Sequence, residues 1–218
     1  IQDLKDISDE FLALAQDNRG VEKRQALLER LLDDEAAHLD SLDDDEESLR
    51  SELQDENKTI KQALNDLDKS SFENEDLYLK EKQGLQDMLS SNRDSVEAAL
   101  QARDKIDQAK QRYNAIKERL NDLEQQTTSF LDTMQDVQDD ASTVLSEYNQ
   151  DPESEDVAKA AEKLLSTVSD DTAVNIEEAW SENIKDHNDI HDDFTAYKDL
   201  LKEIEKLVDV EIQRHHEH

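Results

Sequence analysis

The sequence predicts an all-α protein: an elongated antiparallel three-helix bundle, or coiled coil, with its third rod broken into a short and a long helix. Three observations predict it. Apolar or uncharged residues recur at alternating steps of three and four along most of the chain, the spacing of a helical seam. Only 2 Gly and 1 Pro occur in 218 residues, so little in the chain stops a helix. The rhythm is interrupted at few places, near residues 70, 150 and 170.

The first helix is expected over about 3–68. Its seam reads Leu4, Ile7, Phe11, Leu14, Asn18, Val21, Gln25, Leu28 and Leu32, then Glu35, Leu39, Leu42, Leu49, Leu53, Ile60, Ala63 and Leu67. Gly20 could cap and end a short first helix. The three-four frame passes it without a slip, however, so one helix is favoured, weakened there by about 1 kcal/mol relative to Ala. Glu35, Glu46 and Glu56 fall on the seam, where polar residues lower stability and can fix register. The run from Asp43 to Glu47 reads as a solvated stretch of helix, because a calcium loop needs a central Gly that is absent here.

Lys69-Ser70-Ser71-Phe72 breaks the rhythm, and Ser70 with Glu73 matches a capping box. A short linker there forces the flanking helices antiparallel. The central helix is expected over about 72–149, on the order of 115 Å long at 1.5 Å per residue. Its seam runs Leu85, Leu89, Asn92, Val96 and Ala99, slips at Lys110, Tyr113 and Ile116, and resumes through Leu120, Leu123, Thr127, Phe130, Met134, Val137, Ala141, Val144 and Tyr148. Asp151 as N-cap before Pro152 starts a short helix over about 153–167, with Val157, Ala160, Ala161, Leu164 and Leu165 on one face. Ser169 to Thr172 punctuates it, and Asp171 or Thr172 can cap a last helix over about 172–212. That helix carries Ala173, Ile176, Trp180, Asn183, His187, Ile190, Phe194, Tyr197, Leu201, Ile204 and Val208. The whole chain reads as a single elongated helical domain over 1–218.

The charge balance excludes several function classes. With 58 acidic against 25 basic residues the net charge is -33, so nucleic acid is not an expected partner, because phosphate neutralisation needs surplus Lys and Arg. Such a surface suits basic partners. It also suits high salt, although Lys (16) exceeds Arg (9), against the halophile habit. No cysteine occurs, which removes disulfides, thiolate catalysis and zinc-thiolate sites together. No run of 18 apolar residues exists, so membrane association is expected only through an anchor outside this sequence. The chain begins at Ile1 rather than Met, a start compatible with a leader or anchor upstream of this numbering.

Two groups of residues carry candidate chemistry. His187 and His191 share a helix face, with Asp186, Asp189, Asp192 and Asp193 nearby, a spacing that can hold a transition metal. The metalloprotease signature fails, because Asn188 stands where Glu is required. His187 lies on the seam, so the simpler reading is a partly buried histidine with a hydrogen-bond partner. No metal site is therefore assigned. The tail His215-His216-Glu217-His218 lies past the last seam residue and reads as a frayed, solvated end or a tag remnant. The second group is a basic island, Arg103, Lys105, Lys110, Arg112, Lys117 and Arg119. It reads as interhelical charge pairing with Asp33-Asp34-Glu35, or alternatively as a docking site for an anionic polymer. No Gly-rich phosphate loop, nucleophile elbow or buried carboxylate pair is legible. No catalytic residue and no cofactor are expected, and the chain reads as non-enzymatic.

Arg112-Tyr113-Asn114-Ala115 and Phe194-Thr195-Ala196-Tyr197-Lys198, set in a cysteine-free helical body, resemble segments of the YkyA-type cell-wall-binding lipoproteins of Gram-positive bacteria. The order matches over most of the chain, while the spacing differs and that family's repeated tyrosines are mostly absent. The resemblance implies an extracellular, envelope-attached spacer or binding protein, with a cell-wall polymer or a protein as partner. It supplies no site residues to carry over. The competing expectations are an intracellular acidic coiled-coil adaptor that binds a basic protein, and a metal-binding helical protein.

Overall fold

The computed structural model describes the backbone over residues 2–167 and 170–217, and the side chains there except at 3–4, 7–8, 10–12, 14–18, 167, 170–177 and 217. Four α-helices account for nearly all of it: α1 Gln2–Asp66, α2 Glu75–Gln150, α3 Glu155–Thr167 and α4 Asp170–Glu217, with a 3-10 turn at Lys69–Ser71. No strand occurs among the described residues. The protein is all-α, as the spacing predicts.

α1 runs unbroken across Gly20, as the favoured reading expects. Gly20 has no positive φ, and a Cβ there would meet no atom within 4 Å. Nothing local requires glycine at that position. Leu4, Ile7, Phe11, Leu14 and Asn18 of the first seam lie outside the described side chains, as do Ala173, Ile176 and the caps expected at Asp171 or Thr172.

The helix starts differ from expectation because better acceptors lie nearby. At the first junction Ser70 forms no capping box. Its backbone N–H donates to Asp68 Oδ1 at 2.9 Å inside the 3-10 turn. Asn74 caps α2 instead, its Oδ1 accepting from the Leu77 N–H at 2.9 Å. Phe72 packs edge-on against Tyr78, with ring centroids 5.7 Å apart, and pins the entering chain in the manner of a hydrophobic staple. α2 therefore starts three residues later than expected. At the second junction Asp151 accepts from the Glu153 N–H within a turn, and Ser154 Oγ accepts from the Val157 N–H at 3.4 Å. Ser154, rather than Asp151, is the cap of α3.

The chain divides into two compact units, one made of residues 1–32 and 115–194, the other of 33–114 and 195–218. In the first unit Val21, Gln25, Leu28 and Leu32 of α1 are buried. So are Leu120, Leu123, Thr127 and Met134 of α2, and Trp180, Asn183, His187 and Ile190 of α4. Phe130 and Trp180 stack at 5.7 Å and 13°. Val157 and Ala161 of α3 close on Ala141 and Val144 of α2, with Ala160, Leu164 and Leu165 partly buried around them. That is the face of α3 the sequence predicts.

In the second unit the buried stripe of α2 is Leu89, Ser95, Ala99, Ala102, Ile106 and Ala109. This corrects the expected slip. Lys110 is not on the stripe: its Nζ reaches the Asp43 carboxylate, and Ala109, fully buried, takes the seam position. Steps then alternate regularly from Ala99 through Tyr113, Ile116 and Leu120, and the extra step of three falls earlier, between Leu89 and Ala99. On α1, Ala63 is exposed and Leu64 half-buried, reversing the expected end of the seam. α4 continues to Glu217 rather than ending near 212, because His215 packs inward beside Glu52 and Glu56 at 3.4 and 3.5 Å.

Because the Gly20 backbone is ordinary helix with open space around it, Gly20→Ala should stabilise the protein by about 0.5–1 kcal/mol. Chemical denaturation of the two proteins checks this. Destabilisation would mean that α1 does not run straight through this point.

Candidate functional site

The polar residues of the first unit's interior are concentrated in one layer. Thr127 Oγ1 accepts from Gln25 Nε2 and from Asn183 Nδ2, each at 3.1 Å, and its hydroxyl donates to the Leu123 carbonyl at 2.8 Å. Gln25, Thr127 and Asn183 are all buried. A hydroxyl has one proton to give and two lone pairs to fill, so this one is fully used. All three residues stand on the predicted seams, where sequence periodicity marks them as inward-facing but cannot say that they meet. Asn183 Oδ1 remains buried without a hydrogen-bond partner.

One helical turn along α4, His187 is buried while His191 is exposed. His187 Nδ1 is buried with no hydrogen-bond partner, which corrects the expectation of a satisfied core histidine. Burial first, then the nearby Arg24 and His191, holds His187 below the ordinary histidine pKa. The two histidines share the wall of a cavity of about 230 Å³ with Arg24, Leu27, Leu28, Leu31 and Phe194. The acids expected to complete a metal shell are directed elsewhere: Asp193 pairs with Arg119, and Asp186 lines a separate cleft with Arg119 and Asp122. Among the described residues no three His, Asp or Glu side chains converge as metal ligands. Arg24 was not singled out from the sequence. The signal that could have found this wall is the doubled leucine pattern at Leu27-Leu28 and Leu31-Leu32, which places apolar side chains off the seam as well as on it.

The basic island is engaged in pairing between helices, though not with the predicted partners. In the second unit Glu46 is fully buried and accepts from Arg50 Nε at 3.0 Å, Arg103 Nε at 3.0 Å and Arg103 Nη2 at 2.6 Å. Asp43 accepts from Arg103 and Lys110. Burial alone would raise the Asp43 pKa, but those two cations outweigh it and hold the carboxyl below its usual range. Asp43 and Glu46 are thus not the solvated run expected. Asp33 takes the Tyr113 hydroxyl at 3.0 Å, and Lys105 Nζ lies 3.0 Å from Glu203. In the first unit Lys117 Nζ reaches Glu29 at 3.0 Å and Arg119 pairs with Asp193. Burial and the adjacent Glu29 carboxylate push Glu124 above the ordinary carboxylic acid value, with Lys117 opposing. The expected register set residue 105 opposite 35. The observed partners place 103 against 43–46, across a 67–74 connection of eight residues.

No protein-family model, curated protein or solved structure matches this chain. The chemistry open to it follows from these groups alone. Its buried polar atoms hold helices together, and a largely apolar cavity in the first unit brings the Arg24 guanidinium and the His187 and His191 imidazoles to one wall.

Two outcomes follow. Arg103→Ala strips Glu46 of its interhelical partner and should cost about 3 kcal/mol, whereas the double variant Glu46→Leu/Arg103→Met should recover most of that loss. Urea unfolding of the parent and the two variants measures both terms, and an unchanged Arg103→Ala midpoint would refute the pairing. For His187 the sign follows from its folded pKa, which lies below the unfolded value near 6.5. The unfolded chain binds the proton first, so stability is complete above about pH 6.5 and falls as pH drops through the window beneath it. His187→Gln should therefore lose less stability than the parent between about pH 7.5 and 5.5. Equal losses would show that His187 is solvated.

Proposed function

We propose that this chain is a non-enzymatic helical spacer or binding module, built as an elongated antiparallel three-helix bundle whose third rod is α3 followed by α4. The observation that carries the proposal is the Gln25–Thr127–Asn183 layer, where buried polar groups bind three helices side by side. Partner numbers support the antiparallel sense. In the second unit they rise along α1 from Asp33 to Asp43 while falling along α2 from Tyr113 to Lys110 and Arg103. Its place is the outer face of a cell envelope, with a protein or a cell-wall polymer as partner and a lipid anchor as its attachment. The likeness of Arg112–Ala115 and Phe194–Lys198 to the YkyA-type lipoproteins supports that placement. No described helix is long and apolar enough to cross a membrane.

A second reading, an adaptor for a basic protein, is favoured by one observation. Lys105, Lys110, Lys117, Arg103 and Arg119 are each paired with an acid of another helix, in a chain whose 58 acids far outnumber its 25 bases. Surface electrostatics of that kind screen within about 8 Å at physiological salt.

Fractionation of cells producing the full-length gene product separates the two readings, with recovery in the envelope fraction expected. Recovery in the cytosol together with a partner released by salt would overturn the first reading and establish the second. Small-angle scattering tests the rod, which should give a radius of gyration well above the roughly 17 Å of a compact chain of this length.

A further inference from the structure

Leu27 and Leu31 are 47% and 40% exposed, although Leu28 and Leu32 beside them are buried. With Arg24 they form one face of α1 at helical spacings of three and four. Across from them His187, His191 and Phe194 form a matching face of α4, and the cavity of about 230 Å³ lies between the two faces. Its walls are leucine and phenylalanine, and its polar groups are one guanidinium and two imidazoles. No carboxylate lines it.

We propose that this cavity binds a small organic carboxylate, with the apolar body against Leu27, Leu31 and Phe194 and the carboxylate held by Arg24 and His191. The lining selects that class by elimination. A metal ion would sit beside a permanent cation with no acid to offset it. A sugar needs several hydrogen-bonding groups spread around it, and these walls are mostly hydrocarbon. The volume lies below the 300–1,000 Å³ of pockets for drug-sized ligands, so the occupant is short. The chain's charge of -33 does not forbid an anion here. At physiological salt, charges beyond about 8 Å are largely screened, and the lining itself carries the Arg24 guanidinium and no carboxylate. A guanidinium meets a carboxylate through two parallel hydrogen bonds. His187, buried and with Nδ1 lacking a partner, supports the same reading, because an anion brought alongside favours its protonated form.

Hexanoate is a suitable probe, with hexylammonium and hexanol as matched controls of opposite and zero charge. Titration calorimetry and histidine-ring NMR on the whole chain should show saturable one-to-one binding of hexanoate, moving the His187 and His191 resonances and leaving His216 unmoved. Arg24→Gln, at an exposed position, should keep the helical circular dichroism and weaken hexanoate by about tenfold or more, the loss of one charge-assisted contact. Hexanol binding as tightly as hexanoate would reduce the cavity to a greasy surface and overturn the proposal. So would affinity unchanged in Arg24→Gln, or ring resonances of His187 and His191 that stay still at saturation.

Discussion

One hydroxyl oxygen, Thr127 Oγ1, decides how three helices meet in the first unit. It takes an amide proton from α1 and another from α4 while its own proton returns to the α2 backbone. Sliding any one helix by a turn would leave a buried amide or hydroxyl unpaired, at a cost of about 1–3 kcal/mol per group. An all-leucine seam would impose no such penalty, because one leucine layer resembles the next. The second unit obtains the same discrimination from charge. Glu46, fully buried, is satisfied when Arg50 and Arg103 stand beside it, and Arg103 is on another helix. Register is thus written in the few polar residues that the apolar rows surround.

This explains which features were legible in the sequence. Helix type and inward-facing rows follow from periodicity, so Gln25, Thr127, Asn183 and His187 could be placed inside although none is apolar. Which buried polar groups face each other depends on the relative slide of separate segments, and periodicity within each segment is blind to that. The Lys110 error has the same origin. A three-four count tolerates shifting by one residue, and only the competition between a lysine that can reach Asp43 and a compact Ala109 settles which of them turns inward. The caps failed for a local reason. Ser70 and Asp151 are good caps by type, but each junction offers more than one, and Asn74 and Ser154 stand immediately before the first helical residue. The cavity wall beside His187 was hidden because Arg24 belongs to no motif. It matters only through two histidines more than 160 residues further along the chain.

The acidity of the chain looks hostile to folding, since a net charge far from zero repels itself in the compact state. Placement of the few cations softens this. Arg103 sits between Asp43 and Glu46 of another helix and Lys110 beside Asp43, so each neutralises charge at partly buried positions. Burial strengthens such contacts relative to surface pairs, which contribute little. The opposite situation arises at Glu29 and Glu124, two carboxylates close enough that one is held protonated more readily than usual, with Lys117 limiting the conflict.

Side-chain size also carries information about the second unit. Beyond Leu89, the buried stripe of α2 there is built from Ser95, Ala99, Ala102, Ile106 and Ala109, while α4 contributes Tyr197, Leu200, Leu201, Ile204 and Val208. The Tyr113–Tyr197 ring contact at 6.4 Å and the Lys105–Glu203 pair set these two rows level with one another. Small residues on one helix against large ones on the other allow close approach without voids, a pairing that equal-sized rows would not achieve. Tyr197 is the extreme case: fully buried, with burial and the nearby Glu35, Tyr113 and Asp40 pushing its hydroxyl well above the ordinary phenol value. Its ring meets the Tyr113 ring of α2 at a tilt of 42°. The alanines of α2 at 99, 102 and 109, which composition alone would credit to helix propensity, are also buried seam residues, where a small side chain lets another helix approach closely.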